Sequence, residues 1–311
     1  MGALIPPNLV PWIVGIFGAF IGSFVNVCIL RMPAHRSIVF PGSSCPACGT
    51  AIPPWHNLPV ISWFVLRGRC ASCAAPISFR YPLIEALTAL LFVAAWFRFG
   101  AGLALTEALV FLAALVILFF TDLDERVLPD LVTLPMTGAG LVFAIFRPGW
   151  PFASPGAGFR SLREVGFSLA AALGGAATFW LLGRLWRILR PEIDTAIGLG
   201  DVKLMAMIGA FLGVRLTILT VFLGSLAGTA LFVSVWAVSA ALPRSPTAAP
   251  APLRPLLRGL ESAGFLIEGR SAGLKDQIPF GSLLVIGAGV SLFLGEATIR
   301  AYMALAGLAS D

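Results

Sequence analysis

Charge is scarce in this sequence. Only 12% of its 311 residues are Asp, Glu, Lys or Arg, where a soluble globular domain carries about 25%. Hydrophobic residues make up 58% of the chain and its mean hydropathy is +0.94. A soluble fold cannot hide that much apolar side chain behind so few charges, so a water-soluble monomer is excluded. Disorder is excluded too, because disordered chains are poor in apolar and aromatic residues. Histidine is scarcer still: His35 and His56 are the only two. Without an H-E-x-x-H motif they give no support to zinc-protease chemistry, and they read as solvated or hydrogen-bonded loop residues. No glycine-rich cofactor fingerprint is visible, and no tandem repeat is evident. No Lys or Arg precedes the first apolar run and no A-x-A site follows it, so that run reads as a true span and not a cleaved signal. The net charge of +6 fits basic loops beside a membrane better than nucleic-acid binding.

What is present in abundance is continuous apolar sequence. A helix needs about 20 apolar residues to cross a bilayer. Runs lie at 9–30, 83–97, 103–121, 131–146, 165–189, 202–214, 216–242 and 280–308. They do not alternate, so they predict helices and not a barrel. Of the 21 Lys and Arg, only Arg98, Arg147, Arg160, Arg163, Arg215 and Arg300 fall in one set of loops, and the rest fall in the opposite set. The basic side is expected to be cytoplasmic, with both termini outside.

The five cysteines include two tight pairs. Cys45, Cys48, Cys70 and Cys73 read C-x2-C-x21-C-x2-C, close to zinc-ribbon spacing. Each C-x2-C turn offers two thiolates to one ion, and four thiolates complete the closed tetrahedral shell of a structural zinc site. Two disulfides or a redox pair are the alternative; a reducing cytoplasm disfavours the first and the lack of a thioredoxin-like pattern the second. Cys28 lies within the first run and reads as a small buried apolar residue. The expected class is an all-α polytopic membrane protein of about eight transmembrane helices with a small zinc-ribbon-like loop domain. Its expected divisions are a first transmembrane helix over 1–30, a cytoplasmic zinc-binding domain over 31–82, a transmembrane core over 83–242, a Pro/Ala/Arg-rich linker over 243–277, and a last transmembrane helix and tail over 278–311.

With only 15 acids in the chain, their positions are informative. Asp122, Asp124, Glu125 and Asp130 lie in TDLDERVLPD, between the third and fourth runs, and Asp201 lies in GLGDVK, between the fifth and sixth. The orientation above puts both stretches on one face. Ionisable groups at membrane depth are costly and mark candidate functional sites. Gly198 and Gly200 would let the backbone bend and approach a neighbour closely, bringing Asp201 beside another helix end. Two adjoining carboxylates share a proton and can serve as base and acid. Two other readings stay open on spacing alone: solvated helix ends paired with Arg126 and Lys203, and an ion or proton pathway.

The residues then carry a resemblance over nearly the full length. GSFVNVCILRMP (22–33), the cysteine-bearing stretch 43–92, TDLDERVLPD (121–130), GLGDVK (198–203) and IPFG (278–281) together resemble the type IV prepilin peptidases, polytopic aspartic proteases of the bacterial inner membrane. The resemblance implies Asp122 and Asp201 as the catalytic pair, Asp122 being eight positions before Asp130 as the family pattern requires. It implies Gly198, Gly200, Lys203, Asp124 and Asp130 as supporting residues, and zinc on the four cysteines. The implied substrate is the prepilin or pseudopilin N-terminus, a short basic leader ending in Gly ahead of a hydrophobic helix. Cleavage would take place at the cytoplasmic face. The large cysteine loop implies a second activity, methylation of the new N-terminus from S-adenosylmethionine. Glu85, an acid at the inner end of a span, is the candidate for that step; its other reading is a helix-start Glu favoured by the N-terminal dipole. Partners are the substrate and the bilayer, with no nucleic acid. The competing function is an ion or proton transporter regulated by a zinc loop.

Overall fold

The computed structural model describes residues 6–146, 161–189, 198–241, 266–267, 270–271 and 280–306. All eight apolar runs are helical over nearly all their described residues. In chain order the helices are α1 (Val10–Arg31), α2 (Ile61–Val65), α3 (Arg80–Phe99), α4 (Leu103–Glu125), α5 (Asp130–Phe146), α6 (Ser161–Leu189), α7 (Leu199–Ala241) and α8 (Phe280–Leu305). Most of the 243–277 linker lies outside the described residues. Within it, Leu266–Ile267 pairs antiparallel with Arg270–Ser271.

Six of these helices are long and apolar enough to cross a membrane, while α5 is a shorter apolar helix. The eight expected runs are reached because α7 is two segments. As one rod its 43 residues would extend about 65 Å, twice the roughly 30 Å of a bilayer core. Instead the helical dihedrals stop at Gly213 (φ 70°, ψ 177°), a left-handed value that glycine adopts at no steric cost. The contacts on its two sides run in opposite directions. Before it, Lys203 meets Asp130 and Ala210 meets Gly140, parallel to α5. After it, Leu216 meets Gly295, Thr220 meets Gly287 and Gly228 meets Leu283, antiparallel to α8. The chain therefore turns back at Gly213, joining runs six and seven.

Successive segments alternate in direction, and this gathers particular termini at one end. The C-terminal ends of α1 and α4 and the N-terminal ends of α3, α5, α7 and α8 share the end that carries the cysteine loop. The core fills the space between α4, the first arm of α7 and α8. Leu118, Leu204, Met207, Ile208 and Leu284 are fully buried there, and Phe111 stacks on Phe211 with ring centroids 4.6 Å apart. The outward faces keep large apolar residues such as Trp12, Ile16, Leu90 and Phe97 exposed, as lipid contact requires and water does not tolerate in quantity.

Candidate active site

The stretch TDLDERVLPD builds a tight helical hairpin. α4 ends at Arg126, which takes a left-handed conformation (φ 55°) and returns its N–H to the Asp122 carbonyl. Pro129 precedes α5 and its carbonyl accepts the N–H groups of Val132 and Thr133. Proline suits this place because the first helical turn has no use for its missing donor. The turn leaves Asp122 buried on the last turn of α4 while Asp124 and Asp130 remain exposed.

The acids then divide by partner. Asp124 is paired with Arg80 of α3, whose Nη1 donates to Oδ1 at 2.9 Å. Arg80 also lies over the Phe120 ring at 4.9 Å. Asp130 accepts from Lys203 of α7 at 2.7 Å on each oxygen. Lys203 thus ties α7 to α5 and does not reach Asp201. Asp122 and Asp201, by contrast, meet only uncharged donors among the described residues. Asp122 Oδ2 accepts the backbone N–H of Ser282 and its hydroxyl, the latter at 2.7 Å. Asp201, in the first turn of α7, accepts the Gly198 N–H at 3.3 Å. Gly200 lets this end of α7 close onto Leu128, whose side chain lies 3.2 Å from where a Cβ would sit. Asp122 on the last turn of α4 and Asp201 in the first turn of α7 stand at the same end of the helices. Salt-bridged acids hold helices together; a cation-free pair can exchange a proton.

Ser282 was not singled out from the sequence. The available signal was its place directly after IPFG. Gly281 is required there as well, because a Cβ would approach Asp122 Oδ2 to 2.9 Å.

The cysteine loop is made of two matching turns. Cys45 N–H bonds to the Thr50 carbonyl and Gly49 N–H to the Cys45 carbonyl; Cys70 N–H bonds to Ala75 and Ala74 N–H to Cys70 in the same way, all at 2.9 Å. Gly49 (φ 70°) and Ala74 (φ 58°) occupy the same left-handed place. The four sulfurs lie within 4.8 Å of one another, with Cys45 and Cys73 3.8 Å apart. Four thiolates at about 2.3 Å from a tetrahedral zinc would stand about 3.8 Å apart, so the donor set and its spacing fit that ion. The Thr50 hydroxyl and backbone hold the Cys48 thiol down at about 6. The Ala75 N–H favours the Cys73 thiolate, but the other three sulfurs and loss of solvent outweigh it and push that thiol up to about 11. Such crowding of sulfurs is relieved by a shared cation. Cys28 is fully buried in α1, away from the cluster.

Glu85, buried near the start of α3, joins this loop to the helices. Its Oε2 accepts the Val60 N–H at 2.6 Å, and its backbone packs against Gly22 of α1, where a Cβ would come within 2.7 Å of the Glu85 Cα. Val60 is held at φ 62°, ψ −53°, and Ile61 N–H reaches the Pro59 carbonyl at 2.6 Å. This is a strained γ-turn, unusual for a β-branched residue and costing about 1–3 kcal/mol.

Fold and site define a multi-pass membrane protein with two cation-free carboxyls, Asp122 and Asp201, at one end of its helices, the end that also carries a four-cysteine cluster that could hold a metal ion. Two family models match the chain: Bacterial Peptidase A24 N-terminal domain over residues 16–99 and Type IV leader peptidase family over residues 109–233. The chain belongs to the type IV leader peptidase family. A curated relative from Aeromonas hydrophila, named prepilin leader peptidase/N-methyltransferase, is 32% identical over 94% of this chain and 95% of its own length. One of the same name from Bacillus subtilis (strain 168) is 34% identical over 94% of this chain and 97% of its own length. One from Myxococcus xanthus (strain DK1622) is 40% identical over 68% of this chain, and the match spans 59% of that relative. No solved structure matches the chain.

Proposed function

We propose that this protein is an aspartic endopeptidase of the bacterial inner membrane that removes the basic leader from prepilins or pseudopilins after Gly, and then methylates the new N-terminus. The observation that carries the peptidase reading is the placement of Asp122 and Asp201 at the same end of the helices, with no cation on either among the described residues. The cleavage face is the cytoplasmic one, where most Lys and Arg fall. A basic leader is drawn to this acidic edge, while the mature helix stays in lipid. The transporter reading has no support from the family or the relatives' names, and both acids sit at one end of the bundle instead of its middle.

The chemistry follows from the geometry. Ser282 occupies Asp122 Oδ2, which leaves Oδ1 to take a proton from the attacking water. The water oxygen bonds to the scissile carbonyl carbon, and Asp201 gives its proton to the carbonyl oxygen. Collapse of the resulting diol returns a hydroxyl proton to Asp201 and breaks the C–N bond, while the proton gained by Asp122 passes to the departing amine. Asp124–Arg80 and Asp130–Lys203 fix α3, α4, α5 and α7 around this pair. Gly198 and Gly200 seat the α7 terminus, and both ion pairs act by position.

Zinc on Cys45, Cys48, Cys70 and Cys73 would be structural, since four protein ligands leave no place for a catalytic water. The divisions proposed are the zinc loop over 31–82 and the peptidase core over 83–242. S-adenosylmethionine would supply the methyl group for the second activity. Among the described residues no glycine-rich cradle marks its pocket, so no step is assigned through it. Glu85 can serve that activity in one of two ways: as acceptor of the α-ammonium proton, or as a brace holding the strained turn at Val60.

The deciding experiment incubates detergent-purified protein with a prepilin and reads the product by mass spectrometry, with and without S-adenosylmethionine. Leader loss in wild type but not in Asp201→Asn is the expected result, with one methyl added when the donor is present. An intact substrate in the presence of folded wild type would overturn the peptidase reading. Glu85→Gln keeps an oxygen acceptor for Val60 but loses the charge: methylation lost identifies the proton acceptor, methylation kept identifies the brace.

A further inference from the structure

The loop between α1 and α3 leaves an apolar face uncovered. On the short helix α2, Ile61, Phe64 and Val65 point outward together, all more than half exposed. Their ring neighbour Trp63 packs edge-on against Phe64 at 5.2 Å and against Phe79 at 5.4 Å. Phe79 in turn begins a stripe of exposed residues that continues down α3 through Leu83, Leu90 and Phe97. At 3.6 residues per turn these four positions fall within about 40° of one another, so they form one lipid-facing line. The α2 face is an extension of that line past the end of the span.

Charge accompanies this face. Residues 31–82 contain no Asp or Glu but five arginines, Arg31, Arg36, Arg67, Arg69 and Arg80. Arg67 and Arg69, both exposed, follow α2 directly. Aromatic and aliphatic side chains flanked by arginine are what an anionic membrane surface attracts. The same charge repels a basic leader, which makes this face a poor first stop for the substrate's leader.

We infer that α2 and the adjoining Phe79 rest on the membrane, with Ile61, Phe64 and Val65 in the interfacial layer and Arg67 and Arg69 on anionic lipid headgroups. The loop is then held at three places: by the Glu85–Val60 bond, by its connection into α3, and by lipid. Its cysteine cluster is kept near the membrane plane, at the end of the bundle that carries Asp122 and Asp201.

The test uses the full chain in nanodiscs of phosphatidylcholine, with or without phosphatidylglycerol, each carrying two phosphatidylcholine probes, one with a photoactivatable diazirine near its headgroup and one with the diazirine along its acyl chain. Adducts are mapped by peptide mass spectrometry, and labelling of Leu90 and Phe97 reports lipid access in the same sample. Adducts within 61–65, more abundant with phosphatidylglycerol, are the expected result. Labelled Leu90 and Phe97 with an unlabelled 61–65 in both discs would overturn the inference. Arg67→Gln lowers the loop's affinity for anionic lipid by about fivefold and leaves the α3 adducts unchanged; equal labelling of 61–65 in this variant and wild type would remove the headgroup contact. If a prepilin shields 61–65 and lipid alone never labels it, the face is a peptide-docking surface and the lipid assignment fails.

Discussion

The cysteine loop and the carboxyl pair sit at the same end of the molecule and are built in opposite ways. Each cysteine turn is closed by hydrogen bonds reaching four or five residues along the chain, so the sequence of each turn nearly determines its shape. The carboxyl pair depends on residues from α4, α7 and the start of α8, which only the packing of eight segments brings together. One region is local and suited to a metal; the other is non-local and held by helix termini. A local site tolerates movement of the surrounding helices, whereas a non-local one is sensitive to any change in helix docking. The two should therefore fail separately.

The largest effect expected is at the carboxyl pair. Asp122→Asn or Asp201→Asn should each lower cleavage by about ten-thousandfold, read as leader loss by mass spectrometry, while metal content stays at the wild-type level. Full cleavage in either variant would break the comparison, since the non-local site would not be where the chemistry is. Next comes Cys70→Ser, which removes one of four ligands. Zinc content measured by mass spectrometry of the metal should fall to background, the 31–82 loop should become protease-sensitive, and methylation should drop. Metal and methylation both surviving would show that the cysteines serve another purpose.

A smaller effect sharpens the geometry of the pair. Ser282→Ala removes one of two donors to Asp122 Oδ2. A hydrogen bond to a charged group is worth about 1.5–3 kcal/mol, so kcat should fall about ten- to hundredfold with KM little changed. Ser282→Thr should restore most of the rate, which a merely structural loss would not allow. The ion pair Lys203–Asp130 is partly exposed, with side chains 33% and 57% accessible, and is worth at most about 1 kcal/mol. Lys203→Ala should therefore lower Tm by a few degrees and leave cleavage nearly intact. The smallest effect lies in the loop. Ala74 occupies the left-handed place that its counterpart Gly49 fills. Ala74→Gly should relieve that strain and stabilise the turn by up to about 1 kcal/mol, measured as slower zinc loss to a chelator.

Much of this was legible in advance because the signals are local. Continuous apolar runs predicted helices, and helices form there because a backbone in lipid must satisfy its own hydrogen bonds. C-x2-C spacing predicted turns that aim two sulfurs at one point, and Cys45 and Cys73 stand 3.8 Å apart across those turns. The clustering of acids in TDLDERVLPD singled out the α4–α5 junction. The spacing could not say which acid pairs with which cation. Arg126 and Lys203 are neighbours in sequence to Asp124 and Asp201, yet Asp124 is paired with Arg80 and Lys203 with Asp130.

What the sequence determined by itself, then, is the membrane class, the position of each helical run and the four-cysteine cluster, because hydropathy and short-range hydrogen bonding act within one segment. Only the tertiary structure decided that Ser282 grips Asp122, that Lys203 pairs with Asp130, and that Glu85 holds Val60 in a strained turn. These are contacts between segments far apart in the chain. Their geometry is set by how helices pack and where their ends align, a property that no single stretch of residues contains.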